Sequence, residues 1–251
     1  MQQPRVLHPQ PPSDAARDTA EGECIRLSQN RPLIRGRWLV GRKWITLRGS
    51  GQAILLIPPM TQRALFLDRD GVVNEEVGYL HRAEEVRFVP GIFSLCRTAI
   101  SLGYRLIVVT NQAGIARGFY TEADFETLMD WMREALRAEG IELDAVYHCP
   151  YHPEHGVGPY KREHEDRKPD TGMLRRGARE FGLSLADSIM VGDRCSDIAA
   201  ANAAGLRQAF LIHGTEASTC PGDYLKIETL TEVEQWLLTQ EAANKADARS
   251  Y

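Results

Sequence analysis

The stretch from Ala64 to Asn74 joins a short apolar run to two closely spaced acids. Four apolar residues lead into Asp68, Asp70 follows two positions later, and Gly71 then lets the chain turn. Residues two apart on an extended segment face the same side, so both carboxylates can address one site. Two such anions repel unless a cation lies between them, and Mg²⁺ prefers hard oxygen ligands. The pattern indicates a magnesium site, although an isolated Asp-x-Asp is more often a solvated acidic turn.

Polar residues also follow other apolar runs further along the chain. They are Thr110 with Asn111 and Asp193 with Asp197, and Lys168 comes just before Pro169 at the start of a predicted helix. If the runs are parallel strands, their carboxyl ends meet in one crevice, where open α/β sheets bind ligands. Each residue alone has an ordinary structural explanation, such as a turn, a surface charge or a helix cap. Their recurrence at successive strand ends instead predicts one shared site.

This set of residues suits phosphoryl transfer through an aspartyl phosphate. Asp68 is the expected nucleophile, and Asp70 the expected general acid and then base. The Asp68 carboxylate, the main-chain oxygen of Asp70 and Asp193 are predicted to hold Mg²⁺. Thr110 and Lys168 are predicted to hold the non-bridging phosphate oxygens.

The elements that must position these residues alternate between strand and helix patterns. Predicted strands are 64–68, 104–110, 145–148, 188–192 and 208–212, and predicted helices follow Pro90-Gly91 and span 122–139, 171–181, 195–204 and 232–239. Thr121 and Asp124 form a capping box ahead of the second helix. This alternation predicts an α/β fold with a doubly wound parallel sheet, and the short connections leave no room for a large cap domain.

Composition narrows the class of protein. The 251 residues are 43% hydrophobic and 25% charged, with a net charge of -4, which is ordinary for a globular protein and argues against a general nucleic-acid binder. No apolar run reaches the length of a membrane span, and the N-terminus lacks the order of a secretory signal. Five scattered cysteines do not look like a disulfide framework, so we expect a cytoplasmic protein.

The N-terminal region differs from the rest. Residues 1–23 lack apolar periodicity and are expected to be disordered, and 25–67 contain no acid but several basic residues. Within it, 38–47 could form a short hairpin around Gly41. A basic arm with tryptophans could bind nucleic acid or an anionic membrane, but we favour a poorly ordered extension. The predicted organisation is an extension over 1–62, a catalytic domain over 63–240 and a polar tail over 241–251.

The motifs resemble the haloacid dehalogenase superfamily and, within it, the D,D-heptose 1,7-bisphosphate phosphatases, over about 64–212. The similarity lies in Leu67-Asp68-Arg69-Asp70-Gly71, Gly78-Tyr79, Val109 to Gly118, Cys149-Pro150, Arg167-Lys168-Pro169 and Val191-Gly192-Asp193. It implies a Rossmann-like haloacid dehalogenase fold and substrate contacts at Glu76, Val77, Gly78, Tyr79, Thr110, Asn111, Gln112, Ala113, Arg167 and Arg194. Arg167 would recognise the substrate, since a bisphosphate needs a second cationic contact.

The chain departs from the family in a loop that often binds zinc through Cys-x-His and Cys-x-Cys. Cys149 is kept, but Tyr151 replaces the histidine, and His164 and Asp166 replace the later cysteines. Cys149, His152, His164 and Asp166 could still form a tetrahedral Zn²⁺ set. Such a mixed set is not typical of structural zinc, so a metal-free loop held by its own packing is favoured.

The resemblance implies a monomeric phosphatase that removes the 7-phosphate of heptose 1,7-bisphosphate, a small-molecule substrate, for lipopolysaccharide precursors. A histidinol-phosphate phosphatase is the nearest alternative enzyme. The alternative from another class is a nucleic-acid protein, in which the basic arm docks a polynucleotide and the domain trims its 3′ ends or acts only as a scaffold.

Overall fold

The computed structural model describes residues 37–40, 43–47, 53–56, 62–212 and 219–247. The expectations for residues 1–36 and 248–251 lie outside these ranges. The chain forms two units, residues 1–60 and 61–251. In the first unit, β1 (Arg37–Val40), β2 (Lys43–Leu47) and β3 (Ala53–Leu56) form an antiparallel sheet in that order. Residues 38 and 45 are paired in the register of β1 and β2, which confirms the predicted strand pairing within 38–47.

The second unit is built on a six-stranded parallel sheet. Its strands are β4 (Arg63–Leu67), β5 (Tyr104–Asn111), β6 (Ala145–Cys149), β7 (Ile189–Gly192), β8 (Gln208–Ile212) and β9 (Leu225–Ile227). Their spatial order is β6-β5-β4-β7-β8-β9, and every pair is parallel. The chain therefore starts in the middle, winds to one edge and returns to wind to the other, as in doubly wound folds. The predicted fold class is confirmed.

Helices cover both faces of this sheet. They are α1 (Ile92–Ser101), α2 (Ala113–Ala116), α3 (Glu122–Ala138), α4 (Gly172–Phe181), α5 (Cys195–Ala204) and α6 (Leu230–Asp247). Buried residues of α1, α3 and α6 share one apolar core, and those of α4 and α5 share the other. The central strand serves both cores, because Leu65 and Leu67 face one and Ala64 and Phe66 the other.

Local signals set several helix boundaries. The Thr121 hydroxyl accepts a hydrogen bond from the Asp124 N–H at 3.1 Å, and the Asp124 carboxylate accepts one from the Thr121 N–H at 2.8 Å. This is the capping box predicted for α3. Helix α5 ends at Gly205, whose φ of 77° lies in the left-handed region that glycine adopts at low cost. The sequence therefore predicts the start of α3 and the end of α5 where the structure has them.

The C-terminal helix is longer than predicted. It runs to Asp247, whereas a helix ending at 239 and a polar tail from 241 were expected. Glu241 forms ion pairs with Arg63 at 3.3 Å and with Lys245 at 3.8 Å, which extend the helix where no apolar periodicity marks it. Strand β9 and helix α2 were not predicted, because three- and four-residue elements carry too little pattern.

The cysteines also differ from expectation. Cys195 and Cys220 form a disulfide, whereas Cys96 and Cys149 are free and buried. The two bonded residues are 25 positions apart, and the fold brings their Cα atoms to 5.0 Å. The scatter of cysteines in the sequence is thus no argument for a reducing compartment.

Among the described helices, none is long and apolar enough to cross a bilayer.

Candidate active site

The candidate site lies at the carboxyl ends of β4 and β7, where the strand order reverses. Asp68 follows β4, its N–H donates to the Val191 carbonyl of β7 at 3.0 Å, and Asp193 follows β7. Gly71 has a φ of 81°, and a Cβ there would lie 2.5 Å from the Asp193 carboxylate. The turn after β4 therefore needs glycine so that the two acidic loops can approach each other.

Asp68 is buried among charged groups. Its Oδ1 accepts a hydrogen bond from the Arg69 N–H at 2.7 Å, and its Oδ2 lies 3.0 Å from the Nζ of Lys168. Burial raises the pKa of Asp68 to about 8, Lys168 opposes the rise, and Asp197, Asp193 and Asp70 add to it. A carboxylate in this position is an anion that the fold stabilises only incompletely, which suits a nucleophile that works beside a bound cation.

Lys168 is held from several sides. Its N–H donates to Oδ1 of Asn111 at 3.0 Å, its carbonyl accepts from Nδ2 of Asn111 at 2.9 Å, and its ammonium donates to the Val109 carbonyl at 2.8 Å. The ammonium also lies 2.6 Å from Oδ1 of Asp197. Burial alone would lower the pKa of Lys168, but Asp197 and Asp68 outweigh it and raise the pKa. Lys168 therefore stays charged within the protein.

Asp197 is a site residue whose role the sequence did not reveal. It is fully buried, and its Oδ2 accepts a hydrogen bond from the Arg194 N–H at 3.0 Å. Its Oδ1 faces the Lys168 ammonium without a well-directed hydrogen bond, so that contact is mainly ionic. The available signal was a second acid four residues after Asp193, at the start of the helix predicted over 195–204.

Asp70 accepts hydrogen bonds from three neighbouring side chains. Arg69 donates from Nε at 3.0 Å and from Nη2 at 2.8 Å, Asn74 donates from Nδ2 at 3.1 Å, and Gln112 donates from Nε2 at 3.1 Å. Arg69 is itself fully buried. These contacts fix the carboxylate beside Asp68, in a position where it can exchange protons with a bound substrate.

Thr110 is connected to Asp70 through Gln112. The Nε2 of Gln112 donates to the Thr110 hydroxyl at 2.8 Å as well as to Asp70, and Oε1 of Gln112 accepts a short hydrogen bond from the Tyr120 hydroxyl. The side chain of Gln112 thus makes three hydrogen bonds within the protein, and its contact with substrate stays a prediction. Tyr120 was not predicted as part of the site.

Three acids could hold a divalent cation. Among the described residues, the only group of three or more carboxylate, imidazole or thiol ligands within 4.8 Å of one another is Asp68, Asp193 and Asp197. Oδ1 of Asp193 is buried without a hydrogen-bond partner, and burial together with Asp197 raises the pKa of Asp193 to about 7. Asp197 is fully buried and both of its carboxylate oxygens face donors of the protein, whereas Asp193 has an oxygen without a partner in the group that includes Asp68. The oxygen donors of Asp68 and Asp193 therefore fit Mg²⁺.

A cavity of about 480 Å³ opens beside these acids. The predicted residues that line it are Asp68, Asp70, Glu76, Gly78, Tyr79, Thr110, Asn111, Gln112, Ala113, Arg167, Lys168 and Arg194. Val77 does not line it and is 49% exposed. Gly114, Arg117, Tyr120, His152 and Ser196 line it without having been predicted to do so.

The predicted zinc ligands do not converge. Within 62–212 and 219–247, the acidic group at Asp68 is the only potential metal cluster, and the structure does not bring Cys149, His152, His164 and Asp166 together as one. Cys149 instead donates to the Tyr151 carbonyl at 3.9 Å. His152 lines the cavity, because the loop turns it toward the substrate side.

Side-chain packing holds this loop. The rings of Tyr151 and His164 stack with centroids 4.6 Å apart, and the Arg162 guanidinium lies 3.9 Å from the Tyr151 centroid. Asp166, which is buried, forms a close ion pair with Arg176 of α4. The residues that replace the usual zinc ligands therefore contact neighbouring side chains.

Comparisons with known proteins agree with this geometry. A family described as HAD-hydrolase-like matches residues 166–228. The D-glycero-alpha-D-manno-heptose-1,7-bisphosphate 7-phosphatase of Burkholderia mallei is 51% identical over 159 residues, which are 63% of this chain and 84% of the relative. The chain belongs to the heptose-1,7-bisphosphate 7-phosphatase family.

Other members of the heptose bisphosphatase family support the assignment. The D-glycero-beta-D-manno-heptose-1,7-bisphosphate 7-phosphatase of Vibrio cholerae is 40% identical, over 71% of this chain and 98% of the relative. A crystal structure of D,D-heptose 1,7-bisphosphate phosphatase from B. bronchiseptica, complexed with magnesium and phosphate, is 30% identical with a TM-score of 0.63. It covers 71% of this chain and 99% of that chain. The family resemblance read from the motifs is confirmed.

Proposed function

We propose that this protein hydrolyses the 7-phosphate of D-glycero-D-manno-heptose 1,7-bisphosphate through an aspartyl-phosphate intermediate. The observation that carries the proposal is the position of Asp68, 3.0 Å from the Lys168 ammonium and grouped with Asp193, in a cavity that also contains Arg117 and Arg167. In this cavity Asp68 is a nucleophile beside the Lys168 ammonium, and the two arginines can bind a second anionic group of the substrate.

Each residue of the site has a defined part in this reaction. A carboxylate oxygen of Asp68 attacks phosphorus in line, while the Thr110 hydroxyl and the Lys168 ammonium bind the equatorial oxygens. Asp70 donates a proton to the departing sugar alkoxide. It then takes a proton from the water that attacks the aspartyl phosphate, and this releases inorganic phosphate and restores Asp68.

Mg²⁺ held by Asp68, the main-chain oxygen of Asp70 and Asp193 would offset the repulsion between the anionic nucleophile and the anionic phosphate. The cluster of Asp68, Asp193 and Asp197 and the magnesium in the B. bronchiseptica relative support this choice of cation. Asp197 keeps Lys168 in place beside the acids.

A panel of phosphate esters tests the proposed substrate. We expect heptose 1,7-bisphosphate, assayed as both anomers because relatives carry both names, to exceed histidinol phosphate, fructose 1,6-bisphosphate and a 3′-phosphorylated oligonucleotide by at least a hundredfold in kcat/KM. Asp68→Asn serves as the inactive control. A preference for histidinol phosphate or for the oligonucleotide would overturn the assignment.

We further propose that the second unit, residues 61–251, forms the catalytic domain and that the basic N-terminal region is an extension. All proposed site residues lie beyond residue 60, where the first unit ends. Deleting residues 1–59 should change kcat/KM for the sugar bisphosphate by less than about twofold. A sugar bisphosphate is too highly charged to cross a bilayer unaided, and we propose that the enzyme acts on it in the cytoplasm, as a monomer.

A further inference from the structure

Arg117 lines the cavity in an unusual state. It caps the C-terminus of the short helix α2, and its Nε is buried without a hydrogen-bond partner. Its guanidinium lies 5.9 Å from the ring centroid of Tyr79. Within residues 62–212 and 219–247, no ion pair joins Arg117 to a carboxylate. A partly buried guanidinium without these partners is a strong hydrogen-bond donor that can bind an anion.

His152 lines the same cavity and has one ring nitrogen already occupied. Its Nδ1 accepts hydrogen bonds from the N–H groups of Glu154 at 3.2 Å and His155 at 3.1 Å. With Nδ1 as an acceptor, the neutral ring carries its proton on Nε2. Burial, followed by the nearby Arg167, His155 and Arg117, lowers the pKa of His152 and favours this neutral form. His152 therefore offers an Nε2–H donor.

Arg167 is the third member of this group. Its Nη1 donates to the Tyr151 carbonyl at 3.0 Å, which orients the guanidinium, and no described carboxylate forms an ion pair with it. Burial lowers the pKa of Arg167, and Arg117 lowers it further, whereas Cys149 and Glu163 oppose the change. The fold thus brings two arginines close enough to repel each other on the wall of one cavity.

Arg194, the remaining cation predicted to contact substrate, differs because acidic side chains lie close to its guanidinium. Its Nη2 lies 3.1 Å from Oε2 of Glu76, and its Nε lies 3.8 Å from Oδ1 of Asp193. These two acids compensate its charge. An anionic group entering the cavity away from Asp68 therefore meets uncompensated positive charge at Arg117 and Arg167, but not at Arg194.

We propose that Arg117 and His152, together with Arg167, bind the substrate phosphate that is not hydrolysed, and that Arg117 and His152 thereby determine specificity for a bisphosphate. The inference rests on the proposed function, because it concerns a second phosphate on the same sugar. The two guanidinium groups and the imidazole Nε2–H donate to the phosphate oxygens, and the phosphate relieves the repulsion between the arginines.

Two exposed aromatic residues border this subsite. Tyr79 and Phe119 are 43% and 55% exposed, and their rings meet edge to face with centroids 4.6 Å apart. Tyr79 has a φ of 53°, a conformation uncommon for a residue with a side chain. The turn places its ring over the Arg117 guanidinium, where it excludes water and strengthens the interaction with an anion.

The test compares two substrates that differ only in the second phosphate, heptose 1,7-bisphosphate and heptose 7-phosphate. Arg117→Met keeps an unbranched apolar stem but removes the guanidinium, and it should lower kcat/KM for the bisphosphate by about ten- to a hundredfold, with less than a twofold change for the monophosphate. His152→Ala should act in the same direction, and His152→Gln, which keeps an amide donor near the position of Nε2, should recover most of the loss.

Inhibition by the two products gives a second measurement. The inhibition constant of heptose 1-phosphate should rise at least tenfold in Arg117→Met, whereas that of inorganic phosphate, which binds at Asp68, should stay within twofold. The matched control is Arg137→Ala, an exposed arginine of α3 paired with Glu142, which should match the wild type in every assay. Unchanged phosphate inhibition also shows that a variant is folded.

The outcomes separate the two proposals. If the wild-type enzyme prefers the bisphosphate but the variants lose equal activity on both substrates, the subsite is wrong and the proposed function still holds. A wild-type enzyme that cleaves both substrates equally well would overturn the assignment to a bisphosphate, and the subsite with it.

Discussion

The Nζ of Lys168 lies 2.6 Å from Oδ1 of Asp197, closer than the 3.0 Å that separates it from Oδ2 of Asp68. Lys168 and Asp197 are both buried, and they are far apart in the sequence. Asp197 therefore acts as the anchor of the ammonium, which leaves the face toward Asp68 available for a phosphate. A lysine anchored in this way loses little entropy when substrate binds.

We predict that Asp197→Asn lowers kcat/KM roughly ten- to a hundredfold and destabilises the protein by about 3 kcal/mol, because it breaks a buried pair while Asp68 still contacts Lys168. Since Asp197 raises the pKa of Lys168, the alkaline limb of the pH–rate profile should move to lower pH. Asp130→Asn, an exposed acid of α3, is the control. A loss of stability with an unmoved alkaline limb would make Asp197 a structural residue only.

Asp68→Asn should abolish turnover and leave the fold intact, because an amide cannot form the acyl phosphate. Without metal, the variant should also melt no lower than the wild type, since it removes an acid whose ionised form the buried cluster of carboxylates disfavours. Steady-state rates and thermal unfolding measure both effects. More than about a hundredth of the wild-type rate in purified protein would contradict the covalent mechanism.

The stability of the metal-free protein should depend on pH in an unusual direction. Burial raises the pKa of Asp68 to about 8 and of Asp193 to about 7, against about 4 in an unfolded chain. Between pH 4 and pH 8 the folded state thus binds more protons than the unfolded state, and this contribution to stability is lost as pH rises. Mg²⁺ needs the ionised carboxylates, so its stabilising effect should grow over the same range.

Thermal unfolding from pH 5 to pH 8, with chelator and with excess Mg²⁺, measures this linkage. The increase in Tm caused by Mg²⁺ should be larger at pH 8 than at pH 6, and Asp193→Asn should reduce it at both. If Mg²⁺ increased Tm by the same amount at pH 6 and pH 8, the raised pKa values of Asp68 and Asp193 would not control the pH dependence of its effect.

The loop between β6 and α4 should fold without zinc. Arg176→Ala should lower the free energy of unfolding by about 1–3 kcal/mol, because it leaves the buried Asp166 without its partner. Arg179→Ala, from the same helix, is the matched control. Extensive dialysis against a zinc chelator, followed by addition of Mg²⁺ alone, should leave Tm and kcat unchanged. Stoichiometric zinc that is required for stability would contradict this interpretation of the loop.

Local pattern was enough for most of the fold and for the reactive end of the site. The run into Asp68 is apolar at every position because a central parallel strand is buried on both faces, and the acids at its end are therefore visible in the sequence. The pattern also places Thr110 at the end of a neighbouring strand and Lys168 just before a helix. These features depend on residues close together in the chain and on the general rule that strand ends converge.

Other features depend on distances that only the tertiary structure sets. Asp197 could be noticed from its spacing, but its role as the anchor of Lys168 depends on helix α5 meeting the loop that precedes α4. His152 was a possible ligand in a loop that we expected to be metal-free, and only the structure shows that two backbone N–H groups orient its ring and that it lines the cavity. The disulfide between Cys195 and Cys220 and the uncompensated charge of Arg117 likewise follow from contacts across the fold. The sequence thus determined which residues end the strands, whereas packing decided which charges are paired, because the partner of a charge is a matter of distance in space.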